Sequence, residues 1–134
     1  MDEKECTVLI NSCDKYEDAW YPFFELVKKY WRGCNYHFFL NTETKQYSHS
    51  GIDLTVINTH SNNATPSWGK RTKECLQQIS SPYVLLLLED FFFQRDVNQK
   101  EFEKCIQMLK DNPELTAIYV CAKIKMQRRG SKSA

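Results

Sequence analysis

Tyr83-Val84-Leu85-Leu86-Leu87-Leu88-Glu89-Asp90-Phe91-Phe92-Phe93 is an aliphatic run that stops at two adjacent carboxylates. It is far shorter than the roughly 20 apolar residues a membrane helix needs, and charges interrupt it, so it reads as the central strand of an α/β sheet. Ligands of open α/β sheets bind at the carboxyl ends of the strands, which is where Glu89 and Asp90 would sit. Two neighbouring carboxylates repel one another. A hard divalent cation relieves that repulsion and offers its free faces to phosphate oxygens. The stretch therefore predicts a metal–diphosphate site at a strand exit.

The segments around it supply the rest of such a sheet. Cys6 to Ser12 is β-branched and apolar and turns polar at Asn11, as a parallel strand does on leaving the sheet. From about Asp18 to Trp31, Trp20, Phe23, Phe24, Val27, Tyr30 and Trp31 recur at helical spacing, with Pro22 in the first turn and Gly33 just past the end. Tyr36 to Leu40 and Leu54 to Ile57 repeat the strand pattern, and each is followed by Asn-Thr. A polar loop, His60 to Ser67, precedes a helix that Ser67 can cap, its apolar stripe read as Trp68, Cys75, Leu76 and Ile79. Asn98 and Glu101 have capping-box spacing ahead of a third helix carrying Phe102, Cys105, Ile106 and Leu109 and ending before Pro113, and Thr116 to Val120 reads as a fifth strand. This β-α-β-β-α-β-α-β order predicts a Rossmann-like three-layer α/β/α sandwich with a mainly parallel sheet. Residues 1–121 are expected to form that domain and 122–134, with Lys123, Lys125, Arg128, Arg129 and Lys132, a solvated basic tail.

Bulk properties narrow the function. At 134 residues, 42% hydrophobic and 13% aromatic, the chain has core material for one compact domain. Its 18 Lys and Arg nearly cancel 17 Asp and Glu, so no global basic field argues for a nucleic-acid partner. The charged start, Met1-Asp2-Glu3-Lys4-Glu5, has no leader pattern and no segment long enough to cross a membrane. The expectation is a cytoplasmic protein without a transmembrane segment, a membrane-apposed surface being left open. Six scattered cysteines show no zinc spacing and read mostly as small buried hydrophobes in a reducing compartment.

Three groups are candidates for the site. Glu89 and Asp90 are the first; strand-end charges are often plain solvated surface, but here three phenylalanines follow immediately, so apolar residues bracket the pair on both sides. Lys70 and Arg71 lie in the first turn of a helix, where cations oppose the macrodipole and call for a compensating anion, a diphosphate held by Arg71 in bidentate fashion and by Lys70 as a point charge. Asn11-Ser12-Cys13-Asp14-Lys15-Tyr16 leaves the first strand at the same edge and suits a nucleoside, with Tyr16 stacking and Asp14 accepting from base or ribose. Asn41, Thr42 and Glu43 are weaker candidates at the second strand's exit. No Gly-x-Gly-x-x-Gly or Walker loop follows the first strand, and a receiver-type domain would need a phosphorylatable Asp where the third strand exits as Asn58-Thr59-His60.

Taken together, Val8 to Tyr16, Trp68-Gly69-Lys70-Arg71 and Leu86 to Phe92 resemble bacterial sugar-nucleotide glycosyltransferases of the GT-A fold, polysaccharide-biosynthesis type, over nearly the whole chain to about Val120. The resemblance implies an N-terminal nucleotide-binding half in which Asp90 ligates Mn²⁺ or Mg²⁺ on the donor diphosphate and Glu89 faces the ribose or sugar. It further implies that Arg71 contacts the donor, with Asp14 and Tyr16 beside the base and Ser12 in the same loop. The partners would be a nucleotide-diphosphate sugar and a saccharide or other hydroxyl acceptor. The acidic motif departs from the family by opening with Glu, and the acceptor half with its general base is not evident, so no catalytic residue is assigned. A non-catalytic nucleotide-sugar-binding or interaction module, or a truncated transferase, is the alternative.

Overall fold

The computed structural model describes residues 5–59 and 67–119 and the backbone of 125–128. The chain forms two compact units, Met1–Asp96 and Val97–Ala134, where the sequence reading draws one domain to residue 121 and a tail beyond it.

The first unit has the α/β character expected. Its strands are β1 (Cys6–Asn11), β2 (Phe38–Thr42), β3 (Leu54–Asn58) and β4 (Tyr83–Leu88), and its helices are α1 (Glu17–Tyr30), entered through a 3-10 turn at Asp14–Tyr16, and α2 (Trp68–Gln77). The sheet order is β3-β2-β1-β4 with every neighbouring pair parallel. Adjacent residues of a strand face opposite ways, and the two faces of β2 show how the helices lie. The Phe38 ring meets Phe24 and Trp31 on the α1 side, while Phe39 packs with Leu9, Ile57, Cys75, Ile79 and Val84 on the α2 side. A helix therefore covers each face, a Rossmann-like three-layer arrangement.

Two expectations need correction. The aliphatic run is not the middle of the described sheet: β4 stands at its edge with Leu86 43% exposed, and every residue of β1 is buried. A continuous apolar run signals burial on both faces, yet the position along the sheet is set by the neighbours, and β1 pairs on both sides. The stripe of α2 also differs. Arg71, Thr72 and Cys75 are its buried residues, whereas Trp68 and Leu76 are 55% and 43% exposed. α1 is as expected, burying Trp20, Phe23, Phe24 and Val27, and Gly33 just beyond it takes a φ of 76° that only glycine adopts freely.

The second unit holds α3 (Gln99–Asp111), β5 (Leu115–Tyr119) and β6 (Lys125–Arg128). Asn98 caps α3 by accepting from the Glu101 amide at 3.1 Å, and Phe102, Cys105 and Ile106 are buried. β5 does not extend the parallel sheet. It pairs antiparallel with β6, with a bulge between Leu115 and Ala117, and residues 125–128 are thus strand where a tail was expected. A parallel partner needs a crossover of a dozen or more residues, and only residues 120–124 separate these two strands. Among the described residues no helix is long and apolar enough to cross a membrane. Cys6, Cys75 and Cys105 are buried, and burial pushes the thiols of Cys6, Cys34 and Cys75 up to about 11. Cys121 and the loop at His60 lie outside the described residues.

Candidate site at the carboxyl edge of the parallel sheet

The connections of the first unit reverse at one place. From β1 the chain moves to β2 and β3 on one side, then returns through α2 to β4 on the other side of β1, so the topological switch point lies between β1 and β4. Asn11 pairs in register with Leu88. The next residues out, Ser12 and Glu89, therefore leave the sheet side by side.

Glu89 and Asp90 form a turn, closed by the Phe91 amide donating to the Leu88 carbonyl at 3.1 Å. Their environments differ. Glu89 is buried, 7% exposed, and Asp90 is exposed. Burial, reinforced by the charge of Asp90, raises the Glu89 carboxyl above its ordinary value against the opposing hydrogen bonds of its own backbone and Ser12. Of the three phenylalanines that follow, Phe93 packs on Phe23 and Trp31, while Phe91 and Phe92 are 51% and 41% exposed. The apolar bracket on the carboxylates is thus narrower than the sequence implies.

On the α2 face each strand turns from apolar to polar over two residues, Leu9 to Asn11, Phe39 to Asn41 and Ile57 to Thr59. Leu9 and Phe39 share an apolar row and Asn11 and Asn41 the polar row beyond it, while on the third strand the change comes one step later, Ile57 pairing with Asn41 and Thr59 lying just past the end of β3. α2 matches both rows: Cys75 lies on the apolar row, and Arg71 and Thr72, one turn nearer its N-terminus, meet the polar row. Arg71 is 4% exposed. Its Nε donates to Thr59 Oγ1 at 2.9 Å, and its Nη2 donates to the Ser12 carbonyl at 2.6 Å and to Asn41 Oδ1 at 3.2 Å. A guanidinium only donates, so the Asn41 oxygen must face it. The Asn41 amide nitrogen then donates to Asn11 Oδ1 at 2.6 Å, and Asn11 Nδ2 donates to Thr72 Oγ1 at 2.7 Å. The Thr59 hydroxyl completes the cage by donating to Asn41 Oδ1 at 2.8 Å.

None of these groups is a carboxylate, and Arg71 takes part in no salt bridge among the described residues. Its Nη1 has no partner there either. With Nε and Nη2 committed to the protein, the bidentate grip expected of Arg71 is reduced to what Nη1 can donate.

The remaining sequence candidates are placed as follows. Ser12 is buried and accepts from Trp20 Nε1 at 2.9 Å, which ties the strand exit to α1. Asp14 is largely occupied by the protein: its carboxylate accepts from the Glu43, Thr44 and Lys45 amides and from the Thr44 hydroxyl at 2.6 Å. Partial burial raises the Asp14 carboxyl, but these hydrogen bonds outweigh that and hold it below the ordinary value. Tyr16 is 46% exposed, with the Lys15 ammonium 5.8 Å from its ring centre. Lys70 is exposed, and its backbone amide donates to the capping Ser67 hydroxyl at 3.4 Å. Ser12, Arg71 and Glu89 are thus brought together through Ser12, with Asp90 adjacent, while Asp14 is turned toward the 43–45 loop. Sequence reading missed Thr59 and Thr72 and underrated Asn41. The signal was present in three strands that each turn polar two residues after an apolar position on the same face.

Two carboxylate side chains on consecutive residues fit a Mg²⁺ or Mn²⁺ ion shared with a diphosphate, because such ions take one or two protein carboxylates and fill the remaining positions with phosphate oxygen and water. They do not make a self-sufficient cage, and no cluster of three or more His, Cys, Asp or Glu side chains suited to a metal occurs among the described residues. A cavity of about 490 Å³ lies at the other edge of the sheet, lined by Trp31, Arg32, Cys34, Phe38, Ile52 and Asp53 among others. It belongs to the amino ends of β2 and β3 and has no part in the acidic pair. Compared with protein-family models, curated proteins and solved structures, the chain matches none.

Proposed function

We propose that the first unit binds a nucleoside-diphosphate sugar at the carboxyl edge of its parallel sheet and serves as the donor domain of a glycosyltransferase. The observation that carries this reading is Arg71, a cation buried at the switch-point edge whose partners among the described residues are all neutral. Burying a charge without a counter-ion costs several kcal/mol, and an anionic ligand offsets that cost. Asp90, exposed beside Glu89, gives the diphosphate a second point of attachment through Mg²⁺ or Mn²⁺. Asp90 would hold that cation, which when bound would supply charge neutralisation for the leaving nucleoside diphosphate. Arg71 contributes through Nη1 to the same charge, and exposed Tyr16 is the ring on which a base stacks. In transfer, the anomeric C–O bond to the diphosphate breaks as the acceptor oxygen bonds to that carbon, and the acceptor's proton leaves to base or solvent.

Calorimetric titration with UDP, GDP, CDP and dTDP, with and without Mn²⁺, tests the reading on the wild-type chain and on Asp90→Ala. The expected outcome is metal-dependent binding of one nucleotide, lost in Asp90→Ala. Binding unaffected by metal or by the substitution removes Asp90 from the site. Binding without hydrolysis or transfer of the matching sugar nucleotide assigns the chain to nucleotide-sugar recognition alone.

A further inference from the structure

Among the described residues Arg71 is held by three acceptors, and all three are neutral: the Ser12 carbonyl, the Thr59 hydroxyl and the Asn41 carboxamide oxygen. Position 41 is where this matters. Asn41 is fully buried, sits in register with Asn11 at the last rung of β1 and β2, and faces both Arg71 and Thr59 with one oxygen atom. An aspartate there has the same shape and would close an ion pair with the guanidinium inside the protein. Such a pair would neutralise the cation.

We infer that Asn41 is the positioning residue that keeps Arg71 an anion receptor: it fixes Nη2 through a neutral oxygen and so leaves the guanidinium charge, presented through Nη1, for a phosphate-class anion at the carboxyl edge of the sheet. The inference rests on reading that edge as the donor site and adds which residue tunes it. The Asn11–Thr72 relay behind Asn41 serves the same end. It occupies the amide nitrogen and so prevents the carboxamide from flipping its NH₂ toward the cation.

The test is Asn41→Asp in the full chain, titrated with inorganic pyrophosphate and with whichever nucleoside diphosphate the wild type binds, beside a thermal melt at pH 7. The expected result is a folded protein whose melting temperature is unchanged or higher and whose anion affinity falls more than about tenfold, because the new carboxylate competes with the ligand for Arg71. A merely structural Asn41 would lose stability and affinity together. Aspartate also gives up the hydrogen bond to Asn11, so Thr59→Asp, which sets the carboxylate on Nε instead, is the second variant and should show the same separation of stability from affinity. If the folded variants bind pyrophosphate as the wild type does, or if both variants fail to fold, the charge of Arg71 is not held open and the inference is overturned while the donor-site reading stands. A wild type that binds neither pyrophosphate nor any nucleoside diphosphate, with or without Mn²⁺, overturns that reading and this inference with it.

Discussion

Arg71 and Lys70 are neighbours in sequence with opposite fates. Both oppose the dipole of α2, yet Lys70 reaches solvent and Arg71 is sealed against the strand ends. Helical phase separates them: Arg71 is one turn before Cys75 on the sheet-facing side. Glu89 is a second residue whose chemistry is set by its surroundings. Its folded-state carboxyl lies above the ordinary 4.5, so the folded protein holds this proton to higher pH than the unfolded chain does. The contribution to stability is complete below the unfolded value and declines as pH rises through the folded one. Urea denaturation of the wild type and Glu89→Gln from pH 4 to pH 7 is expected to show the wild type losing stability relative to the variant across that window. If Glu89 joins Asp90 on the metal, Mn²⁺ affinity rises over the same window as the proton is displaced, and the variant lacks that dependence.

The connection between β2 and β3 is a long non-helical one, and it is secured by side chains the sequence does not advertise. Asp14, on the 3-10 turn before α1, gathers the amides of residues 43–45 as an N-cap residue gathers those of a first helical turn. Removing it in Asp14→Ala is expected to cost about 1–2 kcal/mol, measured by urea denaturation, and to loosen the β2–β3 connection without unfolding the sheet. The hydrogen bonds also lower the folded-state carboxyl of Asp14. The part of this cost that depends on its charge is therefore present above the unfolded value and vanishes as pH falls through the folded one. Further along, buried His49 accepts or donates between Tyr47 at 2.7 Å and Glu25 at 2.6 Å, fastening the connection to α1. Nothing in the spacing of Glu25, Tyr47 and His49 predicts that contact, because it joins residues whose separation has no helical or strand period. The caps are different. Ser67 and Asn98 act within three residues of themselves, so their role could be read directly from the chain.

In the first unit, burial concentrates on β1 and β2, the two strands with a parallel partner on each side, and is complete on β1. Leu9→Ala empties a fully buried position packed on Ile57 and Cys75 and is expected to cost about 3 kcal/mol in urea denaturation. The amides of Val8 to Ile10 are expected to be among the slowest to exchange by hydrogen-exchange mass spectrometry, well behind those of edge strand β4. Hydrophobic period, caps and turn residues were enough to establish the α/β class, all three helices and the near-complete extent of β1 and β3, because those signals act over a few residues. The same local reading located the acidic pair at a strand exit, since an apolar run must end where charge begins. The edge place of β4, the antiparallel partner of β5 and the neutral cage around Arg71 arise differently. Each depends on which distant segment comes alongside, and such pairings repay the entropy of closing a long loop only through contacts that exist once the chain has folded. Leu9, Phe39 and Ile57 announced a buried face one strand at a time; that Asn41 and Thr59 would meet on one arginine, with Asn11 bonded behind Asn41, was decided only when the strands and α2 came alongside one another.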